Sequence, residues 1–129
     1  MSFNVFQTIP VLRIFDVEKA KAFYVGFLGF NVDWEHTFEA NFPVYMQVSR
    51  GNCFFHLSEH HGDGSPGANV FIRMTALDEF HKEVLSKQYK YMNPGVETTF
   101  YGTKSMVVID PFGNRINFNE DLLPSAVNP

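Results

Sequence analysis

The pattern that most constrains the fold occurs twice. "TIPVLRIFDVEKAKAFYVGFLGF", residues 8–30, runs from an apolar, β-branched segment through Asp16 to an amphipathic segment and a stop at Gly29. "NVFIRMTALDEFHKEVLSKQ", residues 69–88, repeats the order. Residue 9 corresponds to residue 69, an offset of 69 − 9 = 60. The helical spacing of Ala20, Phe23 and Tyr24 predicts a helix over 17–26 with Asp16 as its N-cap. The second helix is expected over 77–88, with Thr75 as its cap.

Short strands follow each helix. The first unit reads as strands at about 6–14, 30–36, 42–49 and 52–58, with "RGN" at 50–52 as a hairpin turn. The second reads as strands at about 69–74, 97–100, 104–110 and 114–119, with "DPFGN" at 110–114 as a tight turn capped by Asp110. The order is βαβββ, loop, βαβββ, in units of about 6–58 and 69–119. The loop 59–67, "EHHGDGSPG", is Gly- and Pro-rich. Neither unit buries enough alone, so one domain over 1–129 is expected. The expected class is α+β: a curled mixed sheet forming a cleft, with helices on the outer face.

Alternation assigns the faces. Leu12, Ile14, Phe55, Leu57, Val70, Ile72, Met74, Ile116 and Phe118 fall on helix-facing sides. Val11, Arg13, Phe54, His56, Ser58, Asn69, Phe71, Arg73, Arg115, Asn117 and Asn119 fall on the opposite, mixed sides. A mixed, aromatic face is a binding surface if the sheet curls; otherwise these residues simply meet solvent. Cys53 falls on the core side, where packing is its expected role. As the one cysteine it cannot close an internal disulfide, which fits a reducing cytoplasm.

Charge and motif exclude several functions. The net charge is −4 and no basic cluster occurs, so nucleic acid is not an expected partner. An acidic chain is compatible with a cationic ligand. No apolar run approaches the roughly 18–20 residues of a membrane span, and residues 1–10 lack a signal-peptide pattern. There is no P-loop, no dinucleotide fingerprint and no Ser-His-Asp set.

The repeated βαβββ plan, "DVEKAKAFYVGFLGF" at 16–30 and the late "DPFGN" resemble the vicinal oxygen chelate superfamily. That group holds glyoxalase I, extradiol dioxygenases and the fosfomycin and bleomycin resistance proteins. "IPVLRIFDV" at 9–17, "FHLSEHHGDGSPGA" at 55–68 and "YGTKSMVVIDPFGNRINF" at 101–118 are most similar to the bleomycin resistance proteins. In the metal enzymes each unit gives a ligand from its first strand and one from its last. The matching positions here are Ile9, His56, Asn69 and Asn117. Ile cannot ligate and Asn is a weak neutral donor, so only His56 is a good ligand. The resemblance with this departure implies no catalytic residue, no metal and no cofactor. His60 and His61 fall in the loop, where Glu59 and Asp63 are expected to be solvated.

The resemblance implies instead a non-enzymatic binder that sequesters a cationic, bleomycin-type glycopeptide antibiotic. Its groove would lie at a homodimer interface, with the first strand exchanged between subunits about Pro10. The expected ligand-binding residues are Trp34, Phe38, Phe42, Phe54, His56, Ser58, Phe71, Tyr101 and Gly102. Phe38 and Phe42 compete for one aromatic place. The chain has one Trp, fewer than the resistance proteins often carry at the groove. Two alternatives stand: a binder of another aromatic small molecule on the same fold, and a metal-dependent glyoxalase- or dioxygenase-type enzyme.

Overall fold

Each repeat folds into its own sheet, and the two sheets share one plan. The computed structural model describes residues 2–37 and 39–122. The first repeat contains β1 (Val11–Arg13), α1 (Val17–Lys21), a π-helical turn (Ala22–Phe27), β2 (Asn31–His36), β3 (Tyr45–Arg50) and β4 (Cys53–Ser58). The second contains β5 (Asn69–Arg73), α2 (Leu77–Ser86), β6 (Glu97–Thr98), β7 (Thr103–Ile109) and β8 (Arg115–Asp121). The strand orders are β1-β4-β3-β2 and β5-β8-β7-β6. In each sheet the first and last strands of the repeat run parallel and the other pairs run antiparallel.

This is the expected mixed α+β fold of two βαβββ repeats, each repeat forming its own four-stranded mixed sheet. The outer edge of β1 is met by side chains and a loop rather than by a strand. Asn114 Nδ2 donates to the Arg13 carbonyl at 2.9 Å. Gly64, at φ 72°, lies so close that a Cβ there would sit 2.9 Å from the Val11 carbonyl oxygen. Only glycine allows that approach.

Local chemistry explains the element ends. Asp16 Oδ1 accepts from the Lys19 amide at 2.8 Å, as an N-cap should. The helix then widens: the Leu28 amide donates to the Phe23 carbonyl, five residues back, at 2.9 Å. Phe23, Tyr24 and Phe27 are all buried by that turn. The first strand is shorter than expected, and residues 6–10 lie outside it. Pro10 has no N–H to extend the ladder to β4, so pairing stops at Val11↔His56. The expected strand over 97–100 shrinks to Glu97–Thr98.

Thr75 does not cap α2. The cap position is Ala76, in a left-handed conformation at φ 61°. Its N–H and that of Leu77 both donate to the Glu120 carboxylate on β8, each at 3.1 Å. A long-range carboxylate thus does the work of a local cap. Replacing Glu120 with Ala should lower stability by about 1 kcal/mol, the ordinary worth of a cap, read as a lower denaturant midpoint with unchanged slope.

Buried residues of both repeats form one cluster, with Leu12, Phe55 and Leu57 of the first sheet and Met106, Ile116 and Phe118 of the second. Two polar staples tie the repeats together. Tyr24 O–H donates to buried Asp110 at 2.7 Å. Arg50 makes a two-point ion pair with Glu83 at 2.7 and 2.8 Å and donates to the Leu28 carbonyl at 2.8 Å. Gly29, at φ 77°, clears room for it; a Cβ there would fall 2.6 Å from Arg50 Nη1. Cys53 packs against the core, and burial pushes its thiol pKa up. Among the described residues no helix is long and apolar enough to cross a membrane.

Candidate functional site

The helix-averted face of the first sheet gathers aromatic and hydrogen-bonding side chains in two strand-to-strand rows. The ladder pairs Trp34 with Gln47, Gln47 with His56, and His56 with Val11. The next row is His36, Tyr45, Ser58 and Arg13. Trp34 reaches this face through a β-bulge: Val32 opposes Val48, but Trp34, not Asp33, opposes Gln47. Plain alternation would put Trp34 on the side of Val32, which packs on the core.

These groups fix one another. Tyr45 and Trp34 lie nearly parallel, 10° apart with ring centroids 6.0 Å apart. His56 meets Trp34 edge-on at 5.3 Å and Tyr45 edge-on at 5.2 Å. Gln47 Nε2 donates to Asp33 Oδ2 at 3.0 Å, which turns Gln47 Oε1 toward His56 Nε2, also at 3.0 Å. Nε2 therefore carries the proton, and Nδ1 accepts from the Tyr45 hydroxyl at 2.8 Å. Burial holds the His56 pKa below its ordinary 6.5. Burial, with the Asp63 charge, raises the Tyr45 pKa. The neutral imidazole is the form the face is built around.

That choice carries a sign. As pH falls through about 6.5 the unfolded chain takes up the His56 proton before the folded chain does, so the stability is present above that pH and is lost below it. Between about pH 7.5 and 5.5 the parent should lose more unfolding free energy than His56→Gln protein, by denaturant unfolding at each pH. Equal losses would show that His56 is not the responsible group.

The second sheet presents a matching face. Its rows are Asn69, Arg115 and Ile109, then Phe71, Asn117 and Val107, then Arg73, Asn119, Ser105 and Glu97. Asn117 Oδ1 accepts from Ser105 Oγ and from Asn119 Nδ2, each at 2.9 Å. Asn119 Oδ1 accepts from Thr103 Oγ1 at 2.7 Å. Phe71, which pairs with Asn117 across the ladder, has its ring centroid 6.3 Å from that of Tyr101.

The predicted residues separate into groups. Trp34, His56 and Phe54 share the first face, Phe71 and Tyr101 sit together at the second, and Gly102 follows Tyr101 in an exposed turn. Trp34, Phe42, Phe71 and Tyr101 are 42, 47, 53 and 49% exposed, so none of them serves the core. Phe42 borders the Arg13 end of the first face, lining a cavity of about 260 Å³ with Arg13, Phe15 and Glu59. Phe38 lies outside the described residues. Ser58 is a correction: it is fully buried, and its hydroxyl donates to Asp63 at 2.9 Å while accepting from the His60 amide at 3.0 Å. It fastens the loop and offers nothing to a ligand. Asp63 is thereby engaged rather than solvated, and Glu59 caps the Val44 amide at 3.0 Å. Tyr45, Gln47 and Asp33 were not among the predicted residues. Alternation in "VYMQVS" places Tyr45 and Gln47 opposite buried Met46 and Val48, and that signal could have found them.

The donor set does not fit a metal. Ile9 lies outside β1, Asn69 is exposed on the second sheet, and the Asn117 oxygen already accepts two hydrogen bonds. His56 has its one lone pair committed to Tyr45. Among the described residues no group of three or more His, Cys, Asp or Glu could hold a metal ion.

The family model for "Glyoxalase superfamily protein" matches residues 2–123. The chain belongs to the glyoxalase superfamily. Solved members share its fold. A bleomycin resistance determinant encoded on the transposon Tn5 has TM-score 0.71 at 22% identity, covering 92% of this chain and 100% of that one. A bleomycin-binding protein complexed with bleomycin has TM-score 0.69 at 22% identity, over 91% and 99%. A glyoxalase-related enzyme from Clostridium phytofermentans has TM-score 0.70 at 19% identity, over 92% and 97%. Among curated proteins none matches the chain. At these identities the likeness is one of fold, and the superfamily houses both binders and enzymes.

Proposed function

We propose that this superfamily member is a non-enzymatic binder that sequesters a flat aromatic small molecule of the antibiotic type, in a groove completed by a second copy of the chain. The observation that carries the reading is the exposed Trp34, held parallel to Tyr45 and edge-on to His56 by a locked hydrogen-bond chain. Rigid aromatic surface is what a planar ligand needs, because little freedom is lost on stacking. One unit over 1–129, as expected from the repeat, is part of this reading.

A bleomycin-type glycopeptide is the first ligand to test, given the two relatives whose names carry it. The charge on the faces favours a less charged ligand. Arg13, Arg73 and Arg115 on the two faces are met by Asp33, Glu97 and Asp121, with Arg73 pairing with Asp121 at 2.6 Å, and Asp63 beside Tyr45 and Ser58 adds one further negative charge. Most of the excess of acid behind the net charge of −4 lies elsewhere, so the acidity read from composition selects a cation at the site only weakly. Titrating Trp34 fluorescence with bleomycin and with an uncharged anthraquinone tests both readings. No quenching by either would defeat the proposal. An enzyme reading needs a different donor set from the one described above.

The second copy is expected to be held by the N-terminal segment. Within the single chain β1 pairs with β4, and an exchange of that strand about Pro10 would carry the residues before it to the partner. There Phe3 and Phe6 are 93% and 100% exposed, an apolar load that a partner would cover. Light scattering should give twice the chain mass of 14.8 kDa; the monomer value would remove the dimer from the proposal.

A further inference from the structure

One cavity is lined by residues of both repeats and by none of the aromatic groups of the sheet faces. Its volume is about 690 Å³, and it opens at the seam between the repeats, where the β3–β4 turn meets the β5–α2 junction. That volume is in the range of small-molecule sites. Core side chains form its floor: Phe30, Phe80 and Phe118, with Ile72, Met74 and Cys53 on the walls. Phe80 and Phe118 meet edge to face at 5.0 Å, and the Arg50 guanidinium lies over the Phe80 ring, 4.9 Å from its centroid, so the apolar surface left open is that of Phe30, Phe118, Ile72 and Met74.

Charge at the mouth decides the kind of occupant. Arg50 and Glu83 satisfy each other through two contacts. Arg73 pairs with Asp121. Among the described residues Glu79 lines the same mouth with no ion pair or hydrogen bond; Lys104, the cation whose field includes it, is held by Asp78 at 2.7 Å. The start of α2 offers an anion little, because the Ala76 and Leu77 amides are taken by the Glu120 carboxylate. With Asp78 neutralised by Lys104, Glu79 is the acid in the first turn that adds negative charge. A negative mouth over an aromatic floor is complementary to an amphipathic cation.

We propose that this inter-repeat cavity is a second small-molecule site, separate from the aromatic groups of the two sheet faces, that takes a planar apolar molecule carrying a single positive charge. The apolar body rests on Phe30, Phe118, Ile72 and Met74, and the cationic group lies at Glu79.

Thioflavin T, a planar single cation, is the probe. Equilibrium dialysis should find one saturable site per chain. Glu79→Lys, a change at an exposed position, should weaken it tenfold or more, and Trp34→Ala should leave it unchanged. Cys53, the chain's one thiol, should react with iodoacetamide at least fivefold more slowly under saturating dye. The anionic dye 1-anilinonaphthalene-8-sulfonate should give no such protection. Binding that survives Glu79→Lys, or that is lost in Trp34→Ala protein, overturns the assignment, as does the absence of a saturable site. Because Trp34→Ala removes the sheet-face site and leaves this one, failure of either proposal can be told from failure of the other.

Discussion

Replacing Asp110 with Ala is expected to cost more stability than any other single change considered for this chain. Asp110 is buried, and four donors converge on it. Oδ1 accepts from the Phe112 and Asn114 amides at 2.9 and 2.8 Å, and Oδ2 from Tyr24 O–H and Asn114 Nδ2 at 2.7 and 2.8 Å. Asn114 in turn donates to the Arg13 carbonyl and accepts from the Ala68 amide at 3.2 Å. The carboxylate therefore holds the 110–114 turn, the last residue of β1 and the entry to β5 in one network. Truncation strands the donors in the interior, and removing one member of such a buried charged network costs about 3–5 kcal/mol. For a chain of this size that is a melting temperature lower by about 10 °C or more. Tyr24→Phe removes one hydrogen bond to a charged group and should cost about 1.5–3 kcal/mol. Denaturant unfolding of both variants checks the order. An Asp110→Ala protein within about 1 kcal/mol of the parent would mean that water replaces the carboxylate and that the staple is not structural.

The contrast between Asp110 and Tyr45 shows how far the sequence could be read. "DPFGN" names its own turn, because Asp before Pro-x-Gly can cap only locally. Asp16, Gly29 and the core side of Cys53 were legible for the same reason: each depends on near neighbours or on strict alternation. The role of Asp110 beyond the turn depends on Tyr24, 86 residues away, which no local rule supplies. The cap of α2 fails in the same way, since its carboxylate comes from Glu120 on another strand. Trp34 reaches its face only through a one-residue bulge, which inverts alternation without a sequence mark. Ser58 shows the opposite failure. Alternation set its face correctly, but the loop folded back over it, and face alone does not determine access. Phe54 and Phe71 lie on the strand faces that alternation assigned them, each in register with a neighbouring strand.

The sheet faces themselves predict the second large effect. If a flat ligand stacks on them, Trp34→Ala and Tyr101→Ala should each weaken binding about tenfold or more, since a stacking contact is worth about 0.5–1.5 kcal/mol beyond its area and a central anchor 2 or more. Both residues are largely exposed and outside the core cluster, so the variants should melt within a few degrees of the parent. Tyr45→Phe is the finer probe. It keeps the ring parallel to Trp34 but removes the donor to His56 Nδ1, freeing that lone pair and the tilt of the imidazole. Affinity should fall less than in Trp34→Ala protein. The salt response separates the two ligand classes. Affinity for an uncharged aromatic should change by less than about twofold between 50 and 300 mM salt, whereas attraction of a cation by bulk acidity would fade as the screening length shrinks. A steep loss with salt would return the cationic glycopeptide to first place. Full affinity in both Trp34→Ala and Tyr101→Ala proteins would move the groove off these faces altogether.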